Sequence, residues 1–439
     1  MESALVLEAR VIRRIRSLPL WRPLAVRDFR LLWLGQSVSL FGDQFYLIAL
    51  PWLALTLTGS ALALGSVLMV FGGTRAAFQL LGGALSDLVS RRSLMLVSSV
   101  VRAVVTGLIA LVVLFGITKL WHLFILSFIF GIVDAVFFPA FMSVIPSLVT
   151  TDHLRAGNAL LRGTGRLMSL LGPAVAGLVV STAGIAAAFA IDAATFVFVA
   201  VMIGLLRNTD GFSESSEPEA QPLHDPDPVS VDHQAARHHL KTLFASIVEG
   251  LRYAWAEPVV RALFLIICAI EFSYAGPAGV GLASLARNRF DGPGALGMML
   301  SSIGGGMVIG MLLGGSIDGR RRRGPVIIVA TVLMGLALSL LGFATSLVMA
   351  CGLLLFSGIG AGLTNILIMA WIQAKTRSGM LGRVISVLML GMSLTEPLSF
   401  ALSGMVVSLN LKMVFVASGT FLLLASLIAI TNPTLRSAD

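Results

Sequence analysis

Seven ionisable side chains stand inside long apolar runs: Asp43, Arg75, Arg102, Asp134, Asp192, Glu271 and Glu396. Inserting a charge at mid-depth in hydrocarbon costs at least about 2.5–3.5 kcal/mol, so each residue needs a partner or a task. Five are acids and two are arginines, so at most two acids can be balanced one-to-one. The others must be protonated, wetted by a cavity or neutralised by a bound cation. The chemistry on offer is reversible proton or cation binding, not bond breaking. No P-loop, GxSxG or HExxH pattern occurs where a catalytic fold could use it, and no nucleophile–base pair or metal cluster is evident, so no enzyme and no cofactor are expected. The linker histidines His224, His233, His238 and His239 are too loosely spaced for a metal site, and none is expected.

The elements that hold these residues follow from composition. Of 439 residues, 57% are hydrophobic and only 12% are charged, and the mean hydropathy is +0.94. A soluble domain is about 45–50% apolar and about 25% charged. Disordered, secreted disulfide-rich and fibrous classes are excluded, and an all-α membrane protein remains. Hydropathy predicts twelve transmembrane helices at 29–57, 61–87, 93–116, 120–143, 158–182, 184–206, 259–286, 295–317, 325–345, 347–373, 382–408 and 411–431. The two cysteines, Cys268 and Cys351, fall inside apolar runs and are expected to be free.

The net charge of +9 does not point to nucleic acid, because the basic residues sit in short segments between apolar runs. Arg10, Arg13, Arg14, Arg16, Arg22 and Arg27 precede the first span and Arg30 lies at its start, and no cleavable signal peptide is visible. Residues 4–18 read as a basic amphipathic helix on the anionic inner leaflet of the lipid bilayer. Arg91, Arg92, Arg155, Arg320 to Arg323, Lys375, Arg377 and Arg383 fall on one side, leaving Lys119, Arg287, Arg289 and Lys412 on the other. Both termini are therefore expected in the cytoplasm, with the chain multi-pass in the plasma (inner) membrane. The predicted organisation is a basic segment 1–28, a six-helix bundle 29–206, a cytoplasmic linker 207–257, a second bundle 258–431 and a tail 432–439. Residues 208–235 hold seven acids, four prolines and no Lys or Arg, which reads as disordered, and 236–256 reads as an amphipathic helix.

An internal repeat is the most informative pattern. Gly83, Asp87, Arg91 and Arg92 follow span 2, and Gly314, Asp318, Arg322 and Arg323 follow span 8, each pair 231 residues apart. In spans 1 and 7, Asp43-x-x-Tyr46 matches Glu271-x-x-Tyr274 at 228, and in spans 5 and 11 Pro173 matches Pro397 at 224. Two pseudo-symmetric six-helix halves in parallel orientation are the architecture of alternating-access carriers.

GALSDLVSRRS, beginning at Gly83, resembles the loop 2–3 signature of the major facilitator superfamily; Leu85 also matches, and Leu88 and Ser90 depart from it. GPAVAG, with Gly172, Pro173 and Gly177, resembles the fifth-helix motif of drug–proton antiporters of that superfamily, with Ala176 where the motif has glycine. RDFRLLWLGQSVSLFGDQ, FFPAFMSVIPSLV and SIVEGLRYAWAEPVVRALF are similar to the branch holding macrolide-efflux and siderophore-export proteins. The resemblance implies a major facilitator fold and a monomer that exports a hydrophobic or amphiphilic small molecule, with protons as the coupling partner. A proton-coupled uptake symporter and a non-transporting scaffold or receptor are the alternatives. Span 4 departs from the antiporter pattern, carrying Asp134 where that pattern has arginine.

In such a fold the first helix of each half lines the central cavity, so Asp43, Tyr46, Glu271 and Tyr274 are candidates there, with Asp134 and Glu396. Arg75 has no basic counterpart in the second half. It is expected to neutralise Asp43 across the helix 1–2 contact or to hold an anionic substrate group; paired with Asp43, it would leave Glu271 to exchange its proton with substrate. Arg102 is expected in a cytoplasmic-side charge network, and Asp192, on helix 6, in a scaffold position. Asp87 and Asp318 are expected to cap neighbouring helices, with the nearby arginines bridging the halves in one conformation only. Gly306, Gly310 and Gly314 form a small-xxx-small stripe for close helix packing. Because the acidic linker lacks apolar periodicity, deleting residues 212–232 is expected to leave membrane insertion and thermal stability nearly unchanged. Loss of folded protein in detergent would contradict this.

Overall fold

The computed structural model describes residues 19–207, 249, 251–290, 292–317 and 323–431. These residues form twelve long helices. The first four are α1 (Arg27–Thr58), α2 (Ala61–Leu88), α3 (Arg91–Leu114) and α4 (Leu120–Leu148). The stretch Thr151–Gly204 is broken at Gly184, whose φ of 87° and ψ of 173° no helix contains, giving α5 (151–183) and α6 (185–204). Glycine tolerates that positive φ because it has no β-carbon. The second half holds α7 (Pro258–Arg289), α8 (Pro293–Ser316), α9 (Arg323–Leu341), α10 (Leu347–Lys375), α11 (Leu381–Leu409) and α12 (Leu411–Thr431). With the Thr151–Gly204 stretch counted whole, eleven helical segments among the described residues are long and apolar enough to span hydrocarbon. The N-terminal residues before 19, the linker 208–248, and Asp318 to Arg322 lie outside the described residues. So does most of the expected amphipathic helix 236–256, of which 251–256 is helical.

Two helices carry local irregularities with identifiable causes. Helix α4 runs five residues beyond its predicted end despite Pro139 and Pro146, and Ser143 Oγ donates to the Pro139 carbonyl at 3.0 Å. Helix α7 widens into a π-turn at Pro277–Gly281, because Pro277 cannot donate to the preceding turn. Ser399 of α11 bridges the gap: its hydroxyl accepts from the Gly276 N–H at 2.8 Å and donates to the Phe272 carbonyl at 2.5 Å.

Helix pairing repeats between the halves. Within the first half, α1 lies between α5 and α6, α2 packs on α4, and α3 packs on α4 and α6. Adding six to each number gives the second half: α7 packs on α11 and α12, α8 on α10, and α9 on α10 and α12. The halves meet where α2 crosses α11 and α8 crosses α5. Both crossings are glycine on glycine. A β-carbon on Gly65 would stand 2.9 Å from Gly404 Cα, and one on Gly297 would stand 3.1 Å from Gly177 Cα. Gly65 and Gly297 are 232 residues apart and Gly177 and Gly404 are 227 apart, so the repeat relates the two crossings.

The α1–α2, α7–α8 and α9–α10 turns share one end of the bundle. There Arg287 donates to the Leu55 carbonyl at the end of α1, and Arg289 donates to the Gly342 and Ala344 carbonyls at 3.2 and 2.9 Å. At mid-bundle, the Ala174 N–H of α5 donates to Ser301 Oγ of α8 at 2.9 Å. The Arg287 and Ser301 bonds thus join the halves at this end and at mid-depth. At the opposite end, Arg383 of α11 pairs with Glu249 at 2.5 Å, within the second half and its leading segment.

The stripe on α8 packs on α10 as expected: Gly306 and Gly310 lie against the Leu355 and Ile359 carbonyls, and a Gly306 β-carbon would come within 2.9 Å of Gly358 Cα. Gly306→Leu is therefore expected to lower stability in detergent by about 1–3 kcal/mol, the usual range for overpacking. Gly352→Ala, where a β-carbon meets nothing within 4 Å, should change little. Equal thermal melting of the two variants would refute the close-packing account.

Candidate functional site: a charge network at mid-membrane

Four ionisable groups from four helices join into one chain of contacts. Glu396 of α11 is ion-paired with Arg75 Nη2 of α2. Arg75 Nη1 lies 3.8 Å from Asp134 Oδ2 of α4, and Asp134 Oδ1 accepts from Arg102 Nη2 of α3 at 2.8 Å. Side-chain exposure is 20% at Glu396, 28% at Arg75, 36% at Asp134 and 7% at Arg102, so Arg102 is the sealed end and Asp134 the most open member. The Glu396–Arg75 link also joins the two halves.

Arg75 does not pair with Asp43, contrary to the sequence expectation. Helix α2 packs on α11, and Gly72 lies 3.5 Å, by its would-be β-carbon, from Pro397. The guanidinium one turn along α2 therefore meets Glu396, the neighbour of that proline. Asp43 instead sits where α1 crosses α6. Gly42, the residue before it, lets Asp192 Oδ1 and Thr195 Oγ1 approach the α1 backbone. Among the described residues no ion pair reaches Asp43.

Arg102 and Asp192 also differ from expectation. Arg102 is 6% exposed and lies within the bundle rather than in a cytoplasmic-side network. Its guanidinium stands 6.0, 5.1 and 5.5 Å from the ring centres of Phe130, Phe137 and Phe196. Aromatic faces and one carboxylate replace the water this cation has lost. Asp192 is wholly buried, and neither carboxylate oxygen has a hydrogen-bond partner. Hydropathy marks Asp192 as costly, but its α6 position gives no sign of what faces it. Its spacing from Thr195 on one helical face was the available signal.

The matched tyrosines have unlike surroundings. Tyr46 stacks on Phe130 with centroids 4.7 Å apart and planes 3° from parallel. Its hydroxyl lies beside Ser127 Oγ, but the two are not aligned for a normal hydrogen bond and both lack partners. Tyr274 donates to Ser357 Oγ of α10 at 2.9 Å. Glu271 has no ion pair among the described residues, and its charged neighbours are Glu396 and Arg75. Each first-helix acid thus faces another acid: Asp43 faces Asp192, and Glu271 faces Glu396.

Around the loop motifs, Arg91 Nη1 donates to the Ser143 carbonyl at 3.2 Å. Arg92 Nη2 donates to the Gly204 carbonyl at 2.6 Å and Arg92 Nε to the Ile203 carbonyl at 3.3 Å. These bonds stay in the first half in this conformation, where Arg92 complements the negative end of α6. They are not the expected bridges to the other half. The Asp87 side chain, Asp318 and Arg322 lie outside the described residues; Arg323 opens α9, and Gly314 lies against Ile366. In the fifth-helix motif, Gly172 fits against Gln44 of α1, and Pro173 and Gly177 face Gly297 of α8.

Sequence reasoning also passed over Arg162 and Arg166. They continue, at helical spacing, the stripe Ser169, Pro173 and Gly177 by which α5 meets α8. Among the described residues neither has an ion pair. No group of three or more His, Cys, Asp or Glu side chains gathers to hold a metal among the described residues, and Cys268 and Cys351 are free.

The chain is 24% identical over 406 residues to the multidrug efflux pump Tap of Mycolicibacterium fortuitum, covering 91% of this chain and 94% of that one. It is 24% identical over 423 residues to macrolide efflux protein A of Streptococcus pyogenes, covering 94% and 97%. It is also 24% identical over 357 residues to the enterobactin exporter EntS of Escherichia coli O1:K1 / APEC, covering 81% and 79%. Among solved structures it resembles a bacterial homologue of the iron transporter ferroportin in its inward-facing state, with a TM-score of 0.72, 15% identity and coverage of 92% and 98%. It also resembles the nucleoside transporter NupG, with a TM-score of 0.71, 13% identity and coverage of 93% and 100%. The sequence profile of the Major Facilitator Superfamily matches residues 32–395. With twelve helices paired identically in two halves and a charge network bridging them, the chain belongs to the major facilitator superfamily of transporters.

Proposed function

We propose that this transporter is a secondary active exporter of a hydrophobic or amphiphilic small molecule, driven by protons moving inward. The observation that carries the reading is the Arg75–Glu396 pair, an ion pair that ties the two halves together at mid-depth. Alternating access requires such a link to form in one state and break in the other. Support for export comes from the efflux and exporter names of the curated relatives. Support for cytoplasmic termini in a plasma membrane comes from the concentration of Arg and Lys at the end of the bundle where α1 begins. With that orientation the Arg287–Leu55 bond ties the halves on the outer side.

Glu271 is the carboxylate proposed to exchange its proton with substrate. It stands beside the Arg75–Glu396 link and has no cation of its own within ion-pair distance among the described residues. Substrate arriving from the cytoplasm displaces the proton; after the halves rock, a proton from outside displaces substrate. Asp87 and Asp318, with Arg91, Arg92, Arg322 and Arg323, are proposed to set the balance between the two states from the cytoplasmic side. The chain is proposed to work as a monomer.

A panel of macrolides and fluorescent amphiphiles, screened in a drug-sensitive host with and without a protonophore, tests the export reading. Accumulation that rises rather than falls on expression would favour uptake. In proteoliposomes, Glu271→Gln is expected to abolish export driven by a pH gradient while energy-independent equilibration continues. Normal driven export by this variant would remove Glu271 as the coupling site and make Asp134 the next candidate.

The gating role of the central pair has its own test. A hydrogen bond to a charged group contributes about 1.5–3 kcal/mol, or about tenfold and upward in a two-state population. With Cys268 and Cys351 replaced, Ser301→Cys sits at mid-depth in the α5–α8 contact, which must part when the outer side opens. Glu396→Gln is expected to raise its labelling by an impermeant thiol reagent from outside. Unchanged labelling would mean that the pair does not hold the halves.

A further inference from the structure

Within the first half, away from the link between the halves, charge does not balance. Three carboxylates, Asp43 of α1, Asp134 of α4 and Asp192 of α6, face one guanidinium, Arg102 of α3, inside a wall of Phe130, Phe137 and Phe196. Arg102 is committed to Asp134 at 2.8 Å. The other nearby cation, Arg75, is committed to Glu396. Asp43 and Asp192 remain without an ion pair, and Asp192 feels the charge of Asp43.

Asp192 is the extreme member. It has no solvent exposure, and neither Oδ atom has a partner. The nearest hydroxyl cannot help, because Thr195 Oγ1 donates to the Asp192 backbone carbonyl at 2.7 Å. A sealed carboxylate that meets no donor, beside a second carboxylate, is not stable as an ion. Something positive must be bound there. The hydroxyls of Tyr46, Thr106 and Ser127, all buried and unpartnered, lie in the same half, and a hydroxyl can both accept and donate a proton.

We infer that Asp43 and Asp192 form a proton-binding site buried between α1 and α6, distinct from the Arg75–Glu396 link, and that Asp192 carries the proton in this conformation. The bound species is a proton rather than a metal ion on two grounds. No third His, Cys, Asp or Glu ligand gathers there among the described residues, and the Arg102 guanidinium already occupies the cluster as a cation. The proton comes from a hydronium ion in the water of the cavity, where Asp134 is 36% exposed. It reaches the half-buried Asp43 and, past the buried hydroxyls, the sealed Asp192, leaves a water molecule behind, and returns to water when the site opens. The inference deepens the export reading by naming where a driving proton rests, and it depends on that reading only for the proton's use.

The proton can be looked for without transport. The wild-type protein in lipid nanodiscs should have a protonated-carboxyl stretch in its infrared spectrum that exchanges slowly in heavy water, and Asp192→Asn should lose it. Absence of such a band from the wild type, or its survival in Asp192→Asn, overturns the site. If Asp192→Asn does not fold, Asp43→Asn must shift the band, since the two carboxyls share the site; an unshifted band overturns it equally. Saturable stabilisation of the wild type by sodium or manganese, lost in Asp192→Asn, would mean a metal ion and also overturn it. In proteoliposomes, Asp192→Asn should lower gradient-driven accumulation by about tenfold or more, a coupling energy of ordinary size, while counterflow exchange of the same compound persists. Driven accumulation equal to wild type would overturn the coupling role. A band that behaves as expected in a protein that exports no compound would instead count against the export reading and leave the site standing.

Discussion

A charge inside hydrocarbon must be met by an opposite charge, a proton or water, and this constraint organises the interior of the molecule. Arg75 and Arg102 are the two cations at mid-depth on α2 and α3. Their commitments decide the state of every acid around them. Arg102 takes Asp134 and buries itself among phenylalanines. Arg75 takes Glu396 from the other half. The acids left over, Asp43, Asp192 and Glu271, are those free to bind something mobile. A set of buried charges with three more acids than cations is poorly suited to a static scaffold, where unpaired buried charge only costs stability. It suits a molecule in which protons and partners are exchanged.

The same economy governs backbone packing. Lipid supplies no hydrophobic force between helices, so helix association depends on close van der Waals approach. Glycine stands at the crossings that join the halves, Gly65 on Gly404 and Gly177 on Gly297, and again within the second half at Gly306 and Gly310. The resemblance to drug antiporters rests partly on Gly172, Pro173 and Gly177, and their surroundings explain why small residues are needed there. One face of that segment receives Gln44 of α1 and another receives α8. A larger side chain at Gly177 would part the halves where they now touch.

Much of this architecture is legible in the amino-acid sequence. Hydropathy locates the twelve helices because a spanning segment is a long local signal that tertiary contacts do not alter. The recurrence of Gly83, Asp87, Arg91 and Arg92 at Gly314, Asp318, Arg322 and Arg323 announces two similar halves. The shared helix pairing is its physical counterpart. Boundaries are less legible: α4 passes through Pro139 and Pro146, although neither can donate to the carbonyl one turn back. The separation of α5 from α6 rests on the single residue Gly184.

By itself the sequence determined which residues would be costly in the membrane and therefore needed a reason: the five acids and two arginines. Their partners were decided only by the tertiary structure. Arg75 and Glu396 are 321 residues apart, and nothing local distinguishes Glu396 from Asp43 as the acid Arg75 will meet. That choice follows from α2 lying on α11 while α1 turns its Gly42–Asp43 step toward α6. Asp192, on a helix that reads as scaffold, became the most deeply sealed carboxylate for the same reason. Burial and pairing are properties of surfaces brought together by the crossing of helices. Hydropathy along a chain records only the cost of a charge, and the fold decides what meets it.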